Sequence, residues 1–263
     1  MTSRSAVIEF PEDQLVLNAF LGGRMQLWQP KKGYRAGVDP VLLAASVPAI
    51  SGQTVLDLGC GAGAAALCLA TRVPGLDCVG VERQPEFAAL AQRNGAQNGL
   101  PFHVICADLA APPPDLTARQ FDHVLANPPY FVEGAHSPSP DAAKGAARGE
   151  DTPLSIWLDI AARRLRSGGY FHMIQRIDRL PEALASCRLG SVEVLPLAPR
   201  IGRDPGLFIL RARKGGRAAF RLRAPLILHK GATHARDGED YTDEILSVLR
   251  GNAPLKWADC RGV

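Results

Sequence analysis

The 263-residue sequence has no apolar run near the roughly 18 residues that a membrane-spanning helix needs. Glu9, Glu12 and Asp13 stand where a signal peptide would carry its apolar stretch. Export is therefore not expected, and a cytoplasmic location is. No C-x-x-C pair occurs among the cysteines, and the histidines show no metal-ligand spacing. Cys60, Cys68, Cys78, Cys106, Cys187 and Cys260 fall mostly in strand-like or helical stretches. They read as reduced core thiols in a reducing compartment. Lysine is scarce: Lys31, Lys32, Lys144, Lys214, Lys230 and Lys256 are the only ones among 30 basic residues. Arginine suits phosphate contacts and base stacking, but a chain this rich in Ala, Gly, Pro and Arg reads equally well as compositional bias. A net charge of +4 is by itself a weak pointer to nucleic acid. No repeat and no coiled-coil register is present.

What is there is a chain that is 46% apolar, enough for one large core. Its order is strand, helix, strand, helix. The spacing predicts a strand from Thr54 running into Asp57, and strands over Leu76–Val81, Phe102–Cys106, Phe121–Ala126, Tyr170–Ile174, Val192–Leu197 and Leu207–Arg213; Leu226–His229 reads as a further strand or an extended tail. Helices are predicted over Ala62–Arg72, Pro85–Gln97, Pro153–Arg166, Arg179–Cys187 and Tyr241–Leu249. Strands alternating with helices make a doubly wound, mostly parallel α/β sheet. Ahead of it, Gly22-Gly23 punctuates two short apolar stretches and predicts a small hairpin. Asp39 precedes Pro40 and an apolar run, a helix start with Asp39 as its cap. Val132–Asp151 lacks periodicity and reads as a long loop, a lid or a substrate contact.

The stretch Thr-Val-Leu-Asp-Leu-Gly-Cys-Gly-Ala-Gly, Thr54–Gly63, is the organising motif. Its glycines, Gly59, Gly61 and Gly63, alternate, which is not the spacing of the dinucleotide fingerprint, and no Gly-Lys-Ser/Thr follows as in a P-loop. Asp57 would repel a pyrophosphate and attract a cation. The motif resembles motif I of class I S-adenosylmethionine-dependent methyltransferases. That resemblance implies a seven-stranded sheet with an antiparallel last strand.

In such sheets ligands lie beyond the carboxyl ends of the strands. Asp57, Glu82, Asp108 and Asn127 all fall there. Glu82 is set to accept from ribose hydroxyls, Asp108 from an adenine amine, and Asp57 serves the methionine end. Any one alone would read as a solvated loop residue; together, at matched offsets, they point to a ligand. Asn127-Pro128-Pro129-Tyr130 resembles motif IV of the amino-methyltransferases. An exocyclic amine conjugated to a ring is a poor nucleophile. The Asn127 side-chain oxygen and the Pro128 carbonyl can accept both of its hydrogens and aim its lone pair. Tyr130 can stack on the base.

Gly37-Val38-Asp39-Pro40-Val41-Leu42-Leu43, the Asn127–Tyr130 motif and Asp240-Tyr241-Thr242 extend the likeness. With them the chain resembles the bacterial valine-tRNA adenine-N6 methyltransferases, which modify the adenine just 3′ of the anticodon. The resemblance implies S-adenosylmethionine as cofactor, held by Asp39, Asp57, Gly59, Gly61, Gly63, Glu82, Asp108 and Asn127, with Asn127, Pro128 and Tyr130 catalytic. It implies a tRNA anticodon stem-loop as partner, in-line methyl transfer, and no membrane. The expected organisation is an extension over 1–36, a methyltransferase domain over 37–250 and a tail over 251–263. Arg35, Lys144, Arg148, Arg200, Arg203 and Arg213 are candidate phosphate contacts. A glutamine-amide protein methyltransferase would suit motif IV equally well, but needs a helical domain ahead of motif I that residues before 54 do not supply. A DNA adenine enzyme would carry a target-recognition insertion, which is not visible; an rRNA substrate stays open.

Overall fold

A computed structural model describes residues 9–130, 152–231, 240–251, 253–255 and 257. The 132–151 loop, Lys144, Arg148 and Cys260 lie outside these residues. The first elements are β1 (Leu15–Phe20) and β2 (Met25–Pro30), an antiparallel hairpin. Helix α1 (Asp39–Ser46) follows, then β3 (Thr54–Leu58), α2 (Ala64–Arg72), β4 (Asp77–Glu82), α3 (Pro85–Gln97) and β5 (Phe102–Cys106). A single turn, α4 (Pro114–Thr117), leads to β6 (Phe121–Ala126). The chain continues through α5 (Leu154–Arg164), β7 (Leu165–Arg176), α6 (Leu180–Ser186), β8 (Gly190–Ala198) and β9 (Leu207–Arg213). It ends with β10 (Arg221–Leu222), β11 (Leu226–Ile227) and α7 (Asp243–Leu249).

The main sheet runs β10-β8-β9-β7-β6-β3-β4-β5, with β11 also on β8. Strand β9 is antiparallel to both neighbours, as expected of the last long strand. The two-residue strands β10 and β11 join the seven; β11 falls in the Leu226–His229 stretch, where a further strand or an extended tail is expected, and β10 is unanticipated. From β3 the chain winds outward to β4 and β5, then returns to place β6 on the other side of β3. That reversal opens a crevice at the carboxyl ends of β3 and β6. Alternate residues serve the two faces. Val55 and Leu125 join the core beneath α1 and α2, while Leu56, Leu58, Val124 and Ala126 join the core beneath α5 and α6.

Several boundaries differ from expectation. Strand β7 starts at Leu165, because Ser167-Gly168-Gly169 form an irregularity in its pairing with β6 and not a helix-ending loop. Asp39 opens α1 without capping it; Val38 is the capping position and no side chain bonds there. Cys106 is exposed, not a core thiol, while Cys60, Cys68 and Cys78 are buried. Among the described residues, no helix is long and apolar enough to cross a membrane.

The hairpin is fastened by two asparagines about one helical turn apart, Asn94 on α3 and Asn98 at its C-terminal cap. Asn94 Oδ1 accepts from Trp28 N (2.8 Å), and Asn94 Nδ2 donates to Trp28 O (3.0 Å) and Ala62 O (2.9 Å). Asn98 does the same to Gln26, through bonds of 2.9 and 2.7 Å. Each amide thus stands in for a missing strand along the open edge of β2. Met25 and Leu27 pack on the other side into the core shared with α1 and α2. Asn94 is wholly buried, so Asn94→Ala leaves the buried Ala62 O and the part-buried Trp28 N and O short of a partner. We expect it to cost about 3 kcal/mol, read as a lower midpoint in urea unfolding.

Candidate active site

The turn after β3 gathers the site. Gly59 and Gly63 have left-handed backbones (φ 61° and 88°). Their glycine identity also answers to packing. A Cβ on Gly59 would lie 2.3 Å from the Trp157 ring, and one on Gly63 would lie 2.9 Å from Phe102. Gly61, also left-handed (φ 53°), differs in packing: a Cβ there would meet nothing closer than the Tyr34 ring, 4.0 Å away. So Gly61 faces the open side of the turn, beneath Tyr34.

Two acids are buried against this turn. Asp57 is 2% exposed and Glu82 8%. Asp57 Oδ2 accepts from Ala66 N in the first turn of α2 (3.1 Å). Glu82 Oε2 accepts from Gly61 N (3.0 Å) and Oε1 from Gln84 N (2.8 Å). Burial outweighs these bonds. It pushes the Asp57 carboxyl up to about 7, with Glu82 adding to the effect, and it raises Glu82 as well. Asp108, past the end of β5, is half-buried and its Oδ1 caps the local turn by accepting from Ala110 N (2.8 Å).

On the other side of β3, the register sets Ala126 beside Leu58, so Asn127 emerges next to the end of β3. Asn127 is half-buried, and its Nδ2 lies 3.5 Å from the Tyr34 hydroxyl. Tyr130 donates its hydroxyl to Asp39 Oδ2 at 2.5 Å. Burial first, and then the Asp39 charge, hold that phenol firmly protonated. The Pro128 carbonyl accepts from Gln175 Nε2 at 3.2 Å, and the Pro129 carbonyl lies 3.4 Å from the same nitrogen. Asp39, Asp57, Glu82, Asn127, Pro128 and Tyr130 therefore converge on one crevice, with Asp108 at its β5 side. Tyr34, Trp157 and Gln175 also belong to its walls. Sequence reasoning passed them by; Tyr34, one step ahead of the Arg35–Asp39 stretch, carried the nearest thing to a signal. No group of His, Cys, Asp and Glu among the described residues could hold a metal.

The family model for the methyltransferase small domain matches residues 36–144. The tRNA1(Val) (adenine(37)-N6)-methyltransferase of Porphyromonas gingivalis is 32% identical over 194 residues, 66% of this chain and 74% of that protein. That of Actinobacillus succinogenes is 32% identical over 165 residues, 60% and 67% of the two chains. The chain belongs to the tRNA1(Val) (adenine(37)-N6)-methyltransferase family. Among solved structures, Agrobacterium tumefaciens protein Atu636, described as a predicted O-methyltransferase, superposes with a TM-score of 0.66 at 29% identity, covering 82% of this chain and 98% of its own. The T. thermophilus 16S rRNA N2 G1207 methyltransferase, solved with AdoMet and guanosine, shares the fold at a TM-score of 0.55 and 22% identity, over 76% of this chain and 50% of its own.

The protein is thus an S-adenosylmethionine-dependent N-methyltransferase, and the crevice fits that cofactor. Two buried carboxylates held mainly by backbone N–H groups suit a ligand that brings a positive charge and hydroxyl donors. The crevice therefore predicts a pH dependence. In the free enzyme Asp57 takes up a proton as pH falls through about 7, and a neutral acid no longer attracts a cation. Calorimetry should find S-adenosylmethionine affinity level above pH 7.5 and falling by up to tenfold per unit below about 6.5. Asp57→Asn should bind weakly and with a flatter profile; a wild-type profile in that variant would remove Asp57 from the contact.

Proposed function

We propose that this enzyme methylates the exocyclic N6 amine of an adenine in tRNA, namely adenine 37 beside the anticodon of a valine tRNA, by direct in-line transfer. The relatives bearing that name support the substrate. The observation that carries the chemistry is Asn127-Pro128 standing at the strand crossover beside buried Asp57. S-adenosylmethionine supplies a methyl group made electrophilic by its sulfonium. Asp57 and Asp39 serve the methionine end, Glu82 the ribose and Asp108 the adenine amine, over the Gly59–Gly63 turn. Residues 37–250 carry these roles as the methyltransferase domain, flanked by 1–36 and 251–263. A cytoplasmic site of action goes with this substrate.

The acceptor amine gives one hydrogen to Asn127 Oδ1 and the other to the Pro128 carbonyl. Gln175 uses one lone pair of that carbonyl and leaves the second for the amine. It also fixes where the carbonyl points, since Gln175 is wholly buried. Tyr130 offers its ring to the base, and its bond to Asp39 orients that ring. The phenol is too weak an acid to act as a base, and none is required, because alkylation itself makes the amine proton acidic. An anticodon loop already exposes its bases, so extrusion costs less than from a duplex.

Radiolabelled methyl transfer into total tRNA, total protein and DNA in parallel, followed by nucleoside analysis, tests the substrate. Label in N6-methyladenosine of tRNA is expected; label in glutamine of protein would replace this reading. Asn127→Ala should lose at least a hundredfold in kcat with cofactor affinity within about twofold, and near-normal turnover would defeat the amine-holding role. Glu82→Ala should weaken S-adenosylmethionine binding about tenfold or more, through loss of hydrogen bonds to a charged acceptor. Unchanged affinity by calorimetry would take Glu82 off the ribose.

A further inference from the structure

Besides the crevice above, the described residues line a second cavity. It is an open cleft of about 530 Å³ between the hairpin, the start of α1 and the residues His229, Asp240, Tyr241 and Leu249. That volume is within the usual range for small-molecule and nucleotide sites. Asn18, Gln29, Arg35, His229, Asp240 and Tyr241 supply its polar lining. The cleft and the crevice share a wall. Tyr34 reaches towards Asn127, while the next residue, Arg35, turns the other way and donates to Asn18 Oδ1 (3.0 Å). Consecutive Cα atoms are only about 3.8 Å apart, so one chain thickness separates the two spaces. Gln29 braces that wall: its Oε1 accepts from Ala36 N (2.7 Å), and its Nε2 donates to Asn18 Oδ1 (3.1 Å).

The lining is chemically uneven in an informative way. Arg35 is exposed and has no carboxylate partner among the described residues. The one acid of the lining, Asp240, is compensated: it is ion-paired with Arg200, and its Oδ1 lies 2.6 Å from His229 Nδ1. The His229 and Tyr241 rings stack, 4.5 Å between centroids and 24° between planes. Ala19, Val41 and Leu249 fill in with apolar surface. A cation, flat rings and apolar walls lining one cleft match what a nucleotide of single-stranded RNA presents: a phosphate and a base.

We infer that this cleft holds the nucleotide next to the target adenine, with Arg35 on its phosphate and its base against the His229–Tyr241 pair. The inference rests on the tRNA reading of the preceding section and adds a second binding site to it. It makes the Tyr34–Asp39 segment a divider: the target base goes to the Asn127 side and its neighbour to the Arg35 side. The Asp240-Tyr241-Thr242 stretch, to which the methyl-transfer chemistry assigns nothing, acquires a role.

The test uses the full-length enzyme and an unmodified valine-tRNA anticodon stem-loop, with anisotropy for binding and initial rates for turnover. Arg35→Ala should raise the KM for RNA about five- to tenfold while kcat and S-adenosylmethionine affinity stay near wild type. The slope of log K against log salt should fall by about 0.7, the value for one single-strand phosphate contact. Arg35→Lys should recover most of the loss. Ala19→Trp, which fills the cleft from an exposed strand position, should raise KM tenfold or more. A stem-loop abasic on one side of the target adenine should lose as much with wild type and lose no more with Ala19→Trp. If wild type methylates the RNA while Arg35→Ala and Ala19→Trp keep its KM and salt slope, the cleft is not a nucleotide site and the tRNA reading stands. If wild type labels protein and no RNA, both readings fall.

Discussion

Burying two carboxylates side by side is the constraint on which this fold turns. Asp57 and Glu82 sit at the ends of adjacent parallel strands, and what compensates them in the free protein is mostly backbone: Ala66, Gly61 and Gln84 N–H groups. A parallel sheet can present those groups there because each strand end feeds a helix N-terminus, where N–H groups lack intrahelical partners. The arrangement is still under-compensated, and both acids stay harder to ionise than in water. Such a site gains most from a ligand carrying opposite charge and hydroxyl donors. The stability that burial withholds from these two acids is available to binding.

A second constraint joins what the proposed reaction makes its cofactor side and its acceptor side. Asp39 begins α1, Tyr130 ends the Asn-Pro-Pro-Tyr motif, and a 2.5 Å bond ties them together. Gln175, near the end of β7, holds the two proline carbonyls from behind. The proline pair is therefore fixed by its own rings and by a buried amide. In the proposed reaction the nitrogen nucleophile needs its acceptors in place, since a misplacement of about 1 Å can cost 10²-fold, and three separate elements would supply that placement.

Much of this was legible in the chain. Strand ends are local events: Asp57, Glu82 and Asn127 each follow a short apolar run, and parallel pairing then aligns the ends without further instruction. Phe102–Cys106, Phe121–Ala126, Pro85–Gln97 and Leu207–Arg213 fall where the spacing predicts. The failures are instructive because they are non-local. Asp39 has the sequence of a cap, yet a phenol ninety-one positions away holds its carboxylate. Asn98 reads as a helix stop, yet it and Asn94 also complete the edge of β2, a task visible only once α3 lies against the hairpin. Gln175 and Trp157 look like ordinary members of a strand and a helix. Their contacts with Pro128 and Gly59 depend on where β7 and α5 come to rest.

The basic residues carry the same lesson further. A net charge of +4 says little, but its distribution is specific. Arg213 pairs in register with Tyr170 and Gly190, which puts it at the amino ends of the parallel strands, away from the crevice. Arg200 and Arg203 lie in the loop between β8 and β9, and Arg35 beside Asn127's neighbour Tyr34, all on the carboxyl-end face. Of these, Arg200 is committed to Asp240. A mildly basic enzyme can thus steer a polyanion if its uncommitted cations stand at the rim of one crevice, because exposed charges act over about a Debye length and not over the whole surface.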